Sequence, residues 1–278
     1  MRIGTWNILS WYRPGAAIKT VQELEQYKMD ITAVQEIRWP NAGNMKMSKS
    51  VIFFSGNSDN RHEYGTGFVL RETLINSVID FEPVNERICC IRLKGRCYNY
   101  SLISVYAPTE ETEEEEKEKF YEQLEQIFGS LPQQDMKIIL GDLNAKIGKE
   151  ETLRPHIGKH SLHDQSNDNG LRIADFAAAN NLCVKSTMFE HKDIHKQTWV
   201  SNDGRTRNQI DHIIIDARHS SNIVDVRSLR GADADTDHYL VTAKIKIRLS
   251  TITNKKRTQR PIRWNTHRLK EEAIAAEY

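Results

Sequence analysis

"MKIILGDLN", residues 136–144, opens as a buried strand and closes on polar chemistry. Met136, Ile138, Ile139 and Leu140 form an apolar run without the alternation of a half-wet strand. Asp142 and Asn144 follow, two residues apart, with Gly141 and Gly148 on either side. Asp, Asn and Gly are also ordinary turn formers. What separates a turn from a site is whether other strands end on matching polar residues.

Further strands are predicted at 2–8, 30–37, 51–55, 66–71, 87–93 and 98–106. Helices are predicted over 15–28, where Ile18, Val21, Leu24 and Tyr27 recur at near-helical spacing, and over 170–180. "SNDGR" (201–205) carries the Asp-Gly signal of a tight hairpin, after which "NQIDHIII" resumes a strand. In "LVTAKIKIRL" (240–249), Val241, Ala243, Ile245, Ile247 and Leu249 alternate with polar residues, which predicts one covered and one wet face. Strands outnumber helices, so the expected architecture is layered α/β, with two packed sheets and helices outside.

The acidic run "EETEEEEKE" (110–118) leads into Phe120, Leu124, Ile127 and Phe128 on one helical face. It reads as a solvated helix start, with Thr112 and Glu115 spaced as a capping box. From about residue 250 the text turns basic, with Lys255, Lys256, Arg257, Arg260 and Arg263. That stretch reads equally as a phosphate-touching or nuclear-import segment and as a plain solvated tail. "RLKEEAIAAEY" at the end looks like a helix cut short, so residues 1–249 are expected to form the domain and 250–278 a basic linker and truncated tail.

The chain has 278 residues, 38% hydrophobic and 28% charged, with a formal net charge of +1. Global charge therefore does not announce a polyanion ligand; local basic patches or a metal would have to receive one. Four cysteines, Cys89, Cys90, Cys97 and Cys183, lack CxxC spacing, which argues against a zinc site and for a reducing compartment. No signal-peptide core or membrane span is evident, and an intracellular, nuclear protein is expected.

The other strand ends do carry matching residues: Asn7, Glu36, Tyr106, Asp211 and the Asp237-His238 pair. Strand ends of a packed sheet converge on one rim. Glu36 and Asp237 are hard oxygen ligands suited to Mg²⁺, which takes one or two carboxylates and completes its shell with water and phosphate. Asn7, Asn144 and Tyr106 can hydrogen-bond phosphate or water without adding negative charge. His238 can carry a proton near neutrality, with Asp211 fixing its ring, and Asp142 can position or deprotonate water. There is no nucleophilic serine or cysteine with a base and no P-loop, which leaves metal-assisted hydrolysis of a phosphate ester.

In chain order, "TWN", "VQE", "VYAPT", "GDLNAKIG", "QIDHI" and "DTDH" resemble the recurrent blocks of the endonuclease/exonuclease/phosphatase superfamily. The resemblance implies a four-layer α/β sandwich of two packed, mostly antiparallel mixed sheets flanked by helices. It also implies Glu36 as the principal Mg²⁺ ligand (Mn²⁺ as a substitute), with Asp237 nearby and Asn7 helping to hold metal or phosphate. Tyr106, where lipid phosphatases and deoxyribonuclease I have His, is similar to abasic-site and retrotransposon endonucleases. "QTWVSNDGRTRNQIDHI" resembles the LINE-type endonuclease domain, in which the residue matching Thr198 contacts phosphate; Thr236 replaces the usual Ser of the last block, keeps its hydroxyl and is expected, with Asn7, Tyr106, Asn144, Thr198 and His238, to bind the substrate. Asn169 and Arg172 touch DNA or form a helix-capping pair. Leu9 stands where repair-type abasic endonucleases have Asp.

The resulting expectation is a Mg²⁺-dependent endonuclease on double-stranded DNA that leaves a 3′-hydroxyl, of retrotransposon origin, with a reverse transcriptase as a further partner domain. The alternatives are an abasic-site endonuclease or general phosphodiesterase, and an inactive domesticated binding module.

Overall fold

The computed structural model describes residues 1–59 and 61–251. The strands are β1 (Arg2–Asn7), β2 (Ile31–Gln35), β3 (Ala42–Met47), β4 (Ser50–Ser55), β5 (Thr66–Arg71), β6 (Val78–Pro83), β7 (Ile88–Leu93), β8 (Tyr100–Tyr106) and β9 (Met136–Asp142). They continue with β10 (Leu182–Val184), β11 (Trp199–Val200), β12 (Arg207–Asn208), β13 (Asp211–Asp216), β14 (Ile223–Leu229) and β15 (Leu240–Ile245). The α-helices are α1 (Ala16–Gln26), α2 (Glu114–Ser130) and α3 (Asp168–Ala179).

Two large sheets form, ordered β14-β15-β1-β2-β5-β4-β3 and β10-β13-β9-β8-β7-β6, and β11 and β12 make a small two-stranded sheet of their own. Within them only β1/β2 and β8/β9 run parallel. The continuous apolar run of β9 explains itself here. Ile138 and Leu140 enter the layer between the sheets with Ile3, Ala33, Phe68, Leu102, Ile213 and Val241. Ile139 points the other way, onto Phe120, Leu124 and Ile173 of α2 and α3. On the far side, Val21 and Leu24 of α1 cover Trp6, Val34 and Leu240. Helix, sheet, sheet, helix is the expected four-layer sandwich. Gly141 is required by this packing, because a Cβ there would lie 2.1 Å from the Val105 carbonyl oxygen of the neighbouring parallel strand.

Several local expectations differ. Ile18 is 51% exposed, because the α1 stripe that meets the sheet is Ala17, Val21 and Leu24. No capping box forms: Glu113 is the N-cap of α2, without a side-chain bond, and the Thr112 hydroxyl meets Thr109 Oγ1 at 3.0 Å. The glutamates of the first turn still match the helix dipole. The 201–206 connection is wider than a two-residue turn. Only Gly204 has positive φ, and Ser201 N–H reaches the Thr206 carbonyl at 3.0 Å. The alternating segment holds strand form only to Ile245. The basic cluster and the terminal helix start lie outside the described residues.

Candidate active site

Register brings three polar ends into one row of the second sheet. Tyr106 of β8 lies opposite Asp142 of β9, which lies opposite Asp211 of β13. In the first sheet, Asn7 of β1 lies opposite Gln35 of β2, so Glu36 is the first residue past that strand. The sheets face each other, and the two rims meet.

Asn7 makes the junction. Its Nδ2 donates to Glu36 Oε1 at 3.0 Å and to Asp142 Oδ2 at 2.9 Å, and its Oδ1 accepts Leu9 N–H. Glu36 Oε1 also accepts the Tyr106 hydroxyl at 2.9 Å. Burial, with the Glu36 and Asp142 charges, pushes the Tyr106 hydroxyl well above its ordinary value, so it stays a donor. Asp142 Oδ1 accepts Asn144 N–H at 3.0 Å, and Asn144, with φ 46°, donates its amide to the Ala107 carbonyl. Below the rim a polar stitch crosses the sheets, from Thr5 to Gln35 Oε1 and from Gln35 Nε2 to Ser104 Oγ at 3.2 Å.

His238 sits between two carboxylates. Its Nδ1 is 3.0 Å from Asp211 Oδ2, and its Nε2 is 3.7 Å from Asp142 Oδ2. Burial opposes a charge on the ring, but Asp211 and Asp142 outweigh it and hold the pKa up at about 10. Burial and the Asp211 charge push Asp142 up to about 7, against the imidazolium and the Asn7 bond. A carboxylate poised near neutrality can take a proton from water, and the charged imidazole beside it can stabilise an oxyanion.

The last block is held by contacts that sequence reading did not find. Trp6 Nε1 donates to the His238 carbonyl at 3.0 Å, and Trp199 Nε1 donates to Asp237 Oδ2 at 2.8 Å. Both tryptophans stand inside quoted blocks, yet nothing in a one-dimensional pattern says where an indole N–H points. Asn169 is likewise buried, donating to the Pro108 and Asn144 carbonyls. It braces the two strand-end loops and is not a cap; Asn167 caps α3. Arg172 pairs with Asp168 and Glu114.

Three polar groups of the expected site make contacts with the protein itself. Thr198, expected on phosphate, is 2% exposed, and its Oγ1 accepts Ile210 N–H and Asp211 N–H at 2.9 and 3.1 Å. It positions the start of β13. Thr236 donates to the Asn7 carbonyl at 2.9 Å and accepts His238 N–H, tying two rim segments together. The Asn7 amide nitrogen, donating to Glu36 and Asp142, sets the spacing of two carboxylates.

Could this rim take a cation? Asp142, Asp211 and His238 offer atoms within 4.8 Å of one another, Asn7 and Tyr106 tie Glu36 to the same rim, and Asp237 precedes His238 in the chain. Asp237 Oδ1 is buried with no hydrogen-bond partner among the described residues. An orphaned carboxylate oxygen in a carboxylate cluster fits a hard divalent cation.

The sequence matches the Endonuclease/Exonuclease/phosphatase family over residues 4–238. The chain belongs to that family. Its members are nucleases and phosphatases, and they are metal-dependent. Craniofacial development protein 2 of Bos taurus is 35% identical over 262 residues, covering 94% of this chain and 43% of that protein. Its Tragulus javanicus counterpart is 34% identical, with 94% and 44% covered. The chain thus spans less than half the length of these relatives. Among solved structures, the endonuclease domain of TRAS1, a telomere-specific non-LTR retrotransposon, aligns with a TM-score of 0.61 at 16% identity, covering 88% of this chain and 98% of that one. The Xenopus laevis APE2 catalytic domain aligns at 0.66 and 16%, covering 91% and 94%. These likenesses establish the family fold. No helix among the described residues is long and apolar enough to cross a membrane.

Proposed function

We propose that this endonuclease/exonuclease/phosphatase chain is a Mg²⁺-dependent DNA endonuclease that cuts one strand by water attack and leaves a 3′-hydroxyl. The observation that carries the reading is the Asn7 bridge, which ties Glu36 of one sheet to Asp142 of the other beside the Asp211–His238 pair. Glu36, with the orphaned oxygen of Asp237, would hold the Mg²⁺, which when bound polarises a phosphoryl oxygen and lowers the charge that the attacking water meets. Asp142 takes the water proton. His238, oriented by Asp211, donates to a phosphoryl oxygen, and Asn144 and Tyr106 frame the phosphate from the second sheet.

DNA as substrate is supported by Tyr106 and by similar structures that include AP endonucleases and a Neisseria 3′ phosphatase bound to a product DNA hairpin. Double-stranded DNA in the nucleus is the proposed target. The TRAS1 likeness favours a retrotransposon origin, and a reverse transcriptase domain is the proposed companion in a longer protein. The abasic-site reading has its own support in the fold likeness to an Archaeoglobus fulgidus AP endonuclease, while Leu9 counts against it.

The chemistry is tested on supercoiled plasmid with Mg²⁺. Nicked circles that a DNA polymerase extends without phosphatase treatment are expected. Nicks that accept no nucleotide until a 3′-phosphate is removed would contradict the proposed direction of cleavage. Faster cutting of a tetrahydrofuran-containing duplex than of intact DNA would favour the abasic-site reading.

A further inference from the structure

Glu36 does not face solvent freely. Its Oε1 carries the Asn7 and Tyr106 donors, and its Oε2 accepts an Arg38 guanidinium N–H at 2.7 Å. The pair is built by backbone geometry that side chains rarely adopt: Glu36 has φ 56° and Arg38 φ 59°, so the chain folds back within two residues. That geometry is fixed from outside, since Ile37 N–H and Arg38 N–H donate to the Gly65 and Tyr64 carbonyls at 3.1 and 2.8 Å. The guanidinium is only partly satisfied. Arg38 Nε is buried without a hydrogen-bond partner among the described residues, although the side chain as a whole is 39% exposed. An arginine with an unmet buried N–H and an open path to solvent is well placed to be displaced.

We infer that Arg38 is a resident counter-cation for Glu36, which a divalent metal must displace to bind, and which is then free at the rim to receive a substrate phosphate. This rests on the metal-dependent phosphodiesterase reading above. The physical argument is charge exclusion. A divalent ion on Oε2 would lie beside a fixed positive charge, whereas once the ion neutralises Glu36 the guanidinium loses its partner and gains an incoming phosphodiester as the nearest anion. The exchange keeps the lone carboxylate from standing unpaired between turnovers, and it makes metal affinity lower than the carboxylate count alone would give.

The test is metal binding without DNA. Mn²⁺ titrations followed by calorimetry and by the electron paramagnetic resonance of free Mn²⁺ compare wild type with Arg38→Gln, Arg38→Lys and Arg61→Gln. Arg61 pairs with Asp59 in an exposed position and controls for the bulk loss of one charge. Loss of a charge-assisted bond to Glu36 is expected to tighten Mn²⁺ binding about tenfold in Arg38→Gln. Arg61→Gln is expected to leave it unchanged within about twofold. Arg38→Lys, which keeps the charge, should stay near wild type and supplies the comparison if the glutamine variant folds poorly: Mn²⁺ affinity in the lysine variant that matched or exceeded the tenfold gain would also overturn charge exclusion. With Mg²⁺ at saturation, Arg38→Gln should bind duplex DNA more weakly than wild type. Equal or weaker Mn²⁺ binding by Arg38→Gln than by wild type refutes the counter-cation role even if the protein nicks DNA. Absence of nicking by wild type with Mn²⁺ bound would instead refute the nuclease reading and leave the displacement result standing.

Discussion

The two sides of the site are built to different standards. On the closed side, Asp142 and Asp211 of the second sheet and His238, which reaches them from the segment before β15, are 1%, 0% and 6% exposed, and each is held by hydrogen bonds to protein groups. On the first sheet, Glu36 and Arg38 form a half-open lip on left-handed backbone, with one N–H unmet. The closed side has the traits of a preorganised proton-transfer device, whose dipoles are fixed before the substrate arrives. The open side has the traits of a ligand-exchange point. Buried rigidity for chemistry and a loosely satisfied lip for binding make separable predictions.

The largest effect should come from the closed side. Asp142→Asn removes the proton acceptor and should lower the single-turnover nicking rate by about 10²–10⁴ while Mn²⁺ binding is largely kept. Glu36→Gln should invert that pattern, weakening Mn²⁺ binding first. If both variants lost metal affinity equally, the division between the two sides would collapse.

Metal-free stability offers a second contrast. His238 keeps its proton up to about 10 in the fold against 6.5 for an ordinary histidine, so in that window the native state binds more protons than the unfolded chain. Stability must then fall as pH rises from about 6.5 to about 10. Asp142, at about 7 against 3.8, adds a fall of the same sign at lower pH. Urea melts of metal-free protein should show this decline, and His238→Gln should flatten its upper part. An undiminished slope in that variant would mean the ring is not the charged group between the carboxylates.

Thr198 gives a smaller and sharper discrimination. Thr198→Val removes the acceptor of two buried N–H groups and should cost about 1–3 kcal/mol in a urea melt. A raised KM with unchanged stability would return Thr198 to the substrate.

Much of this site was legible as sequence because the fold reports its rim twice. The strands that meet at the rim carry polar side chains at or just past their rim ends (Asp211 at the start of β13), so Asn7, Glu36, Tyr106, Asp142, Asp211 and His238 stand out in the sequence, although β1, β2 and β8 also hold buried Thr and Ser. The layer order was legible for the same reason in β9 and β8. What stayed hidden is contact that no periodicity encodes. The outer strands β3 and β6, with burial patterns dominated by exposed and half-buried residues, give no apolar run to read. Thr198 and Thr236 sit in the expected blocks, but hydroxyls serve backbone and phosphate equally well, and only three-dimensional neighbours decide between them. Arg38 is invisible as a partner of Glu36 because β2 ends at Gln35 and both residues adopt positive φ, so strand alternation does not govern which side chains meet there.

The central claim is that one strand of DNA is cut by the groups that Asn7 gathers from both sheets. Supercoiled plasmid incubated with Mg²⁺ and wild type, Asp142→Asn or Glu36→Gln protein tests it in one gel. Nicked circles are expected with wild type, almost none with either variant, and none with wild type once EDTA is present; nicking by either variant at the wild-type rate would contradict the claim.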